Sequence, residues 1–80
     1  MRLFYTFTDQ ETGSTLGVYD ETTTSTHVTK YVGPFASEEL AEAYCRDYVN
    51  RTGWGYSPRA NRAVVDGQVY AYCSRWTSCD

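Results

Sequence analysis

Leu3, Tyr5 and Phe7 alternate with Phe4, Thr6 and Thr8, the period of two expected of a half-buried strand. Asp9-Gln10-Glu11-Thr12-Gly13-Ser14 is turn chemistry, with Gly13 able to take positive φ. A second strand is predicted from Thr15 to Tyr19. Asp20 to Thr26 reads D-E-T-T-T-S-T and is polar on both faces, so nothing specifies a buried side. It is expected to be a mobile hairpin loop or a solvated edge. Alternation resumes at His27 to Val32, with Val28 and Val32 on one face and His27, Thr29 and Tyr31 on the other.

The pattern then changes period. Pro34 is expected to end the strand, Ser37 is a good N-cap, and Glu38 and Glu39 place negative charge where the helix dipole favours it. Leu40, Ala41, Ala43, Tyr44, Cys45, Tyr48 and Val49 form one broad apolar stripe. Glu38, Glu39, Glu42, Arg46 and Asn50 lie opposite, with Glu42 and Arg46 spaced as an i,i+4 pair. Gly53 is the natural stop, and Trp54 to Pro58 reads as an aromatic loop capping one end of the core.

Ala63-Val64-Val65, Asp66-Gly67 and Gln68-Val69-Tyr70-Ala71-Tyr72-Cys73 make two strands joined by a type I′ turn. The predicted order is β-β-β-α-β-β. This is an α+β fold, a single helix packed on an antiparallel sheet, in one small domain over residues 1–80.

Composition narrows the function classes. Eighty residues hold one domain, which excludes two-lobed enzyme architectures. Aromatic residues reach 16%, and large rings offset the small core of a chain this short. The net charge of -3 lacks the basic face that counterion-release binding needs, so no direct nucleic acid is expected. An acidic surface suits a basic protein partner, with Asp20, Glu21, Glu38, Glu39 and Glu42 as the candidate contacts, although mild acidity also serves solubility alone. The longest unbroken apolar run, Val69 to Cys73, is far short of the ~20 residues of a membrane helix, and no apolar leader follows Arg2. A cytoplasmic protein without membrane contact is therefore expected. Cys45 and Cys73 sit in apolar patterns as small core residues, and Cys79 is expected to be a free thiol. Asn50-Arg51-Thr52 matches a glycosylation sequon, read as a chance match without a secretion signal.

Candidate chemistry is sparse. His27 is the single histidine, and the three cysteines lack any C-x-x-C knuckle, so no metal site is predicted. A Cys-His nucleophile pair is unfavoured because both core thiols belong to apolar patterns. Gly53-Trp54-Gly55 lacks the lysine and following helix of a phosphate loop. No catalytic, cofactor-binding or metal residue is assigned, and no enzyme is expected. In the last strand Val69, Ala71 and Cys73 face one way and Tyr70, Tyr72 and Ser74 the other. The small residues suit packing beneath the helix. Tyr70 and Tyr72 then lie on a sheet face that one helix cannot cover, as interface anchors or as rings packed on neighbouring strands and Trp76.

Val32-Gly33-Pro34-Phe35-Ala36-Ser37-Glu38-Glu39-Leu40-Ala41-Glu42-Ala43 resembles the strand–GPF–helix segment of SPOR domains, over about a sixth of the chain. That resemblance implies binding of septal peptidoglycan glycan, although SPOR domains use two helices and the first is absent here. As a whole, the small acidic α+β chain resembles in type the stand-alone inhibitors encoded by phages, including anti-CRISPR proteins. This implies a non-enzymatic host–virus interaction, in which the protein binds a basic surface of a host or defence complex and blocks its nucleic-acid-binding or effector surface. The alternative is a SPOR-like glycan-binding or single-strand nucleic-acid-binding sheet domain.

Overall fold

A computed structural model describes residues 1–78, so Cys79 lies outside the described residues. The elements are β1 (Leu3–Thr8), β2 (Thr15–Thr23), β3 (His27–Phe35), α1 (Glu38–Thr52), a short 3₁₀ turn (Trp54–Tyr56), β4 (Arg59–Val65) and β5 (Gln68–Trp76). They form one antiparallel sheet in the order β1-β2-β3-β5-β4, with the single helix packed on it. The architecture is α+β with the element order β-β-β-α-β-β.

The helix lies mainly over β4 and β5 and reaches β3. Ser37 sits in extended backbone and its hydroxyl accepts from the Leu40 N–H, satisfying one of the unpaired donors of the first turn. Gly53 stops the helix at φ 89, with its N–H bonded to the Val49 carbonyl. Val32, Ala71 and Cys73 are sealed beneath the helix, joined by Val18 and Leu16 from β2 and closed over by Tyr44, Cys45 and Tyr48. Burying a Val side chain such as Val18 or Val32 contributes about 1.5–3 kcal/mol. The buried stripe is narrower than the seven apolar positions of the helix. Leu40 and Val49, at the margins of the stripe, stay exposed.

Three local expectations change and one open choice is decided. Of the two readings of Asp20–Thr26, Asp20–Thr23 takes the solvated edge: β2 passes a bulge between Tyr19 and Thr22, at which Asp20 takes φ 51, and continues as exposed strand in register with β3. Thr24 then closes a tight turn, its hydroxyl accepting from the Thr26 and His27 N–H groups. Local side-chain bonding, rather than burial, orders this polar stretch. Pro34 does not end β3, which runs on to Phe35 through an irregularity in its pairing with β5. A bulge at Phe4 puts Leu3 opposite Tyr19 but Tyr5 opposite Val18, so Leu3 does not share a face with Tyr5 and Phe7. Trp54 does not cap the core; it is 93% exposed. At the β4–β5 hairpin Asp66 and Gly67 both have positive φ, the geometry a type I′ turn requires.

Candidate functional site

The register divides the sheet into two faces. Val18, Val32 and Ala71 align across β2, β3 and β5 on the helix side, so Tyr19, Tyr31 and Tyr72, the next aligned row, point to the opposite, uncovered side. Asn61 continues that row on β4, and Thr29, Ser74, His27, Trp76 and Arg59 share the face. Tyr70 belongs to it too, and the packing of Tyr70 and Tyr19 explains two glycines. Gly17 and Gly33 pair directly across β2 and β3. A Cβ on Gly33 would lie 2.8 Å from the Tyr70 ring, and one on Gly17 would lie 2.7 Å from the Tyr19 ring. The rings therefore rest on bare backbone, an aromatic cover for glycine in a strand. Tyr70 stands edge-on to Tyr19 at 5.7 Å and to Tyr31 at 6.5 Å, and Tyr31 stacks at a tilt on Tyr72 at 4.8 Å. Such aromatic pairs contribute about 0.5–1.5 kcal/mol each beyond their buried area.

The two tyrosines singled out from the sequence thus have different roles. Tyr70 is buried at the centre of the cluster, with its hydroxyl donating to Gln68 Oε1 at the rim. Tyr72 is 36% exposed and Trp76, farther along the same strand face, is 47% exposed. Tyr70 supports the surface; Tyr72 and Trp76 present it. Alternation already places Tyr31 on the face of His27 and Thr29 in β3 and Trp76 on the face of Tyr72 in β5, whereas Tyr19 joins the cluster only through cross-strand register.

The five candidate acids do not gather into one patch. Glu38 and Glu42 both bind Arg62 on β4, at 3.2 and 2.8 Å, so Glu42 is engaged across the fold with Arg62. These groups are solvent-exposed, and such pairs contribute about 0–1 kcal/mol. Glu39 is exposed on the helix. The Asp20 carboxylate accepts from the Arg2 backbone N–H at the β2 bulge. Glu21 lines a cleft on the helix side of the sheet.

That cleft separates α1 from β1. It holds about 410 Å³ between Tyr5, Phe7 and Tyr48, with Lys30, Arg51 and Arg75 on its walls. Arg51 donates to the Tyr44 hydroxyl at 2.8 Å and lies over the Tyr44 and Tyr48 rings, and Lys30 lies over Tyr48. Beyond Arg51 a second cleft reaches Asp47 and Glu11, where repulsion from Asp47 raises the Glu11 carboxyl. The cations are thus absorbed into the packing of the helix on the sheet.

Burial pushes the Cys73 thiol up to about 12 and also raises Cys45, so both stay protonated at neutral pH. His27 lies on the sheet face opposite Cys73, with Nδ1 2.9 Å from the Thr26 hydroxyl, and the fold does not bring histidine and thiol together. Among the described residues no cluster of His, Cys, Asp and Glu is arranged to hold a metal, and no helix is long and apolar enough to cross a membrane. The arrangement is suited to surface recognition: a rigid platform of rings flanked by hydroxyl and amide groups. No family model, curated protein or solved structure matches the chain.

Proposed function

We propose that this protein is a non-enzymatic protein-binding module and that the open sheet face is its contact surface. The observation that carries this reading is the set of part-exposed rings on this face, Tyr31 stacked on Tyr72 and braced by the buried Tyr70, with Trp76 farther along the same strand. Tyr and Trp offer large contact area with few rotatable bonds, and Thr29, Ser74 and Asn61 beside them supply adaptable hydrogen bonding. The strands hold these groups in place before binding, which lowers the entropy lost on association. The acids, dispersed over the other surfaces, act through the net charge of -3 by steering a basic partner rather than by direct contact. In this reading the protein works as the phage-encoded inhibitors it resembles in type do, by occupying the effector surface of a host or defence complex.

The test is the double variant Tyr72→Ala, Trp76→Ala. Both side chains are exposed, so circular dichroism should match the parent, while affinity for the partner captured from a bacterial lysate falls by roughly 2–4 kcal/mol, the hot-spot scale. Capture at undiminished yield by the folded double variant rejects this surface. The same platform of rings can stack sugars or bases, so pelleting with purified peptidoglycan, lost in the double variant, would support the glycan-binding alternative instead.

A further inference from the structure

The two edges of the sheet are built differently. β4 carries Arg59, Asn61 and Arg62 and is packed against the helix. β1 has neither charge nor proline from Leu3 to Thr8, and Leu3, Phe4 and Tyr5 are each about half exposed. Among the described residues β2 is its one strand neighbour, so a row of backbone N–H and C=O groups faces outward. Sheets defend such edges with lysine, proline, bulges or a covering element. Of these β1 has one, the bulge at Phe4, and it leaves Tyr5–Thr8 in regular register with β2.

We propose that β1 is the interface of a symmetric homodimer. Tyr5–Phe7 of two copies pair antiparallel about a two-fold axis at Thr6, joining two five-stranded sheets into one of ten strands. In an antiparallel pair, opposed residues point their backbone groups in the same sense, both toward or both away from the partner. A strand pairing with itself must therefore place the axis at a residue rather than between two. With the axis at Thr6, Tyr5 meets the partner's Phe7, and both rings lie on the helix side of the joined sheet, as they do within each copy.

Charge points to a second copy rather than to an unrelated strand. Arg2 and Asp9 flank the uncharged segment at opposite ends. Antiparallel self-pairing brings Arg2 within one residue of the partner's Asp9 at both ends of the interface, an isologous contact that is satisfied twice. The Asp9 carboxylate already accepts from the Glu11 N–H and the Thr12 hydroxyl, one bond to each oxygen, which leaves lone pairs for a guanidinium. The dimer stands whether or not the open face binds a partner. If that face does bind, the two-fold sets both aromatic faces on one side of the joined sheet, and the dimer engages its target bivalently.

Sedimentation equilibrium of the full chain tests the proposal. The apparent mass should rise from 9.1 kDa toward twice that value as the concentration is raised from roughly 10 to 500 μM. Thr6 is exposed and faces Gly17, so Thr6→Lys leaves the circular dichroism unchanged but sets two ammonium groups against each other across the axis. Self-association should weaken about tenfold or more. Thr6→Glu alone should do the same, and an equimolar mixture of the two variants should recover the dimer. Should either variant fail to fold, Arg2→Glu, outside the strand, takes its place and should weaken association by facing the partner's Asp9. A wild-type mass of 9.1 kDa throughout overturns the proposal. So does a folded Thr6→Lys variant that associates like wild type, or a mixture of folded Thr6→Lys and Thr6→Glu that stays monomeric.

Discussion

On the helix side, the sheet offers small or β-branched residues, Val18, Val32, Ala71 and Cys73, and a separate element brings the rings, Tyr44 and Tyr48, down onto them. On the other side the order is inverted. The strands supply the rings themselves, Tyr19, Tyr31, Tyr70 and Tyr72, and glycine supplies the depression in which two of them rest. Both sides bury a tyrosine to about the same degree, 5% exposure for Tyr48 and for Tyr70. An 80-residue chain with one helix thus seals part of its second sheet face without a second layer. The helix side is closed over β3 and β5 and opens at the cleft beside β1, whereas on the other side the outer rings stay wet.

If the two faces are energetically comparable, truncation beneath each should cost a similar amount. Tyr48→Ala and Tyr70→Ala are each expected to lose about 3–5 kcal/mol of unfolding free energy, enough to leave so small a domain largely unfolded. Tyr72→Ala, removing a part-exposed ring, should cost under about 1.5 kcal/mol and leave the fold intact. Urea titrations followed by far-ultraviolet circular dichroism rank the three. A Tyr70→Ala variant as stable as Tyr72→Ala would mean that the open-face cluster is a surface ornament and not a second core.

The glycines sharpen the same comparison at smaller magnitude. At Gly33 φ is 153, and an added Cβ meets the Tyr70 ring at 2.8 Å and the Val69 carbonyl oxygen at 3.1 Å, a backbone atom that cannot swing away. At Gly17 the nearest contacts belong to the side chains of Tyr19 and Leu3, of which Leu3 is exposed and free to move. Gly33→Ala should therefore cost about 2–3 kcal/mol and Gly17→Ala about 1 kcal/mol. Thermal melts that put Gly17→Ala below Gly33→Ala would contradict the packing of Tyr70 on β3.

How much of this can be read along the chain depends on whether the signal is local. The helix, its Ser37 cap, its Gly53 stop and the Asp66-Gly67 turn are each specified within a few residues and stand where the pattern puts them. The facing of β5 follows from a period of two, which puts Ala71 and Cys73 inward and Tyr72 outward. Burial of Tyr70 is not local: it depends on Gly33 and Tyr19, residues 37 and 51 positions earlier, arriving in one register. The Phe4 and Asp20 bulges change facing by one residue without any glycine or proline to announce them. Exposure of Trp54 likewise escapes composition, because a large ring in a turn reads as core filler until the turn's direction is known.

Alkaline titration separates the two faces by pH window. Within the sheet the buried thiol lies on the helix side, at Cys73, where desolvation and the neighbouring Cys45 push its pKa up to about 12 from an ordinary value of 9.0. Below that ordinary value both the folded and the unfolded chain hold the proton, and stability is fully present. Between pH 9 and 12 the unfolded chain releases it while the folded chain does not, so stability falls as pH rises through this window. The loss from Cys73 should be on the order of 1 kcal/mol by pH 10. Tyr44 and Tyr48, raised by burial from 10.0, add their share above that pH. Cys73→Ala should start lower in stability yet lose less of it between pH 8 and 10, the remaining slope coming from Cys45, which burial shifts in the same direction. Urea midpoints measured at half-unit intervals give both slopes. Equal slopes for the parent and Cys73→Ala would mean that the sealed thiol of the sheet does not carry the alkaline sensitivity, which would then fall to Cys45 and the tyrosines.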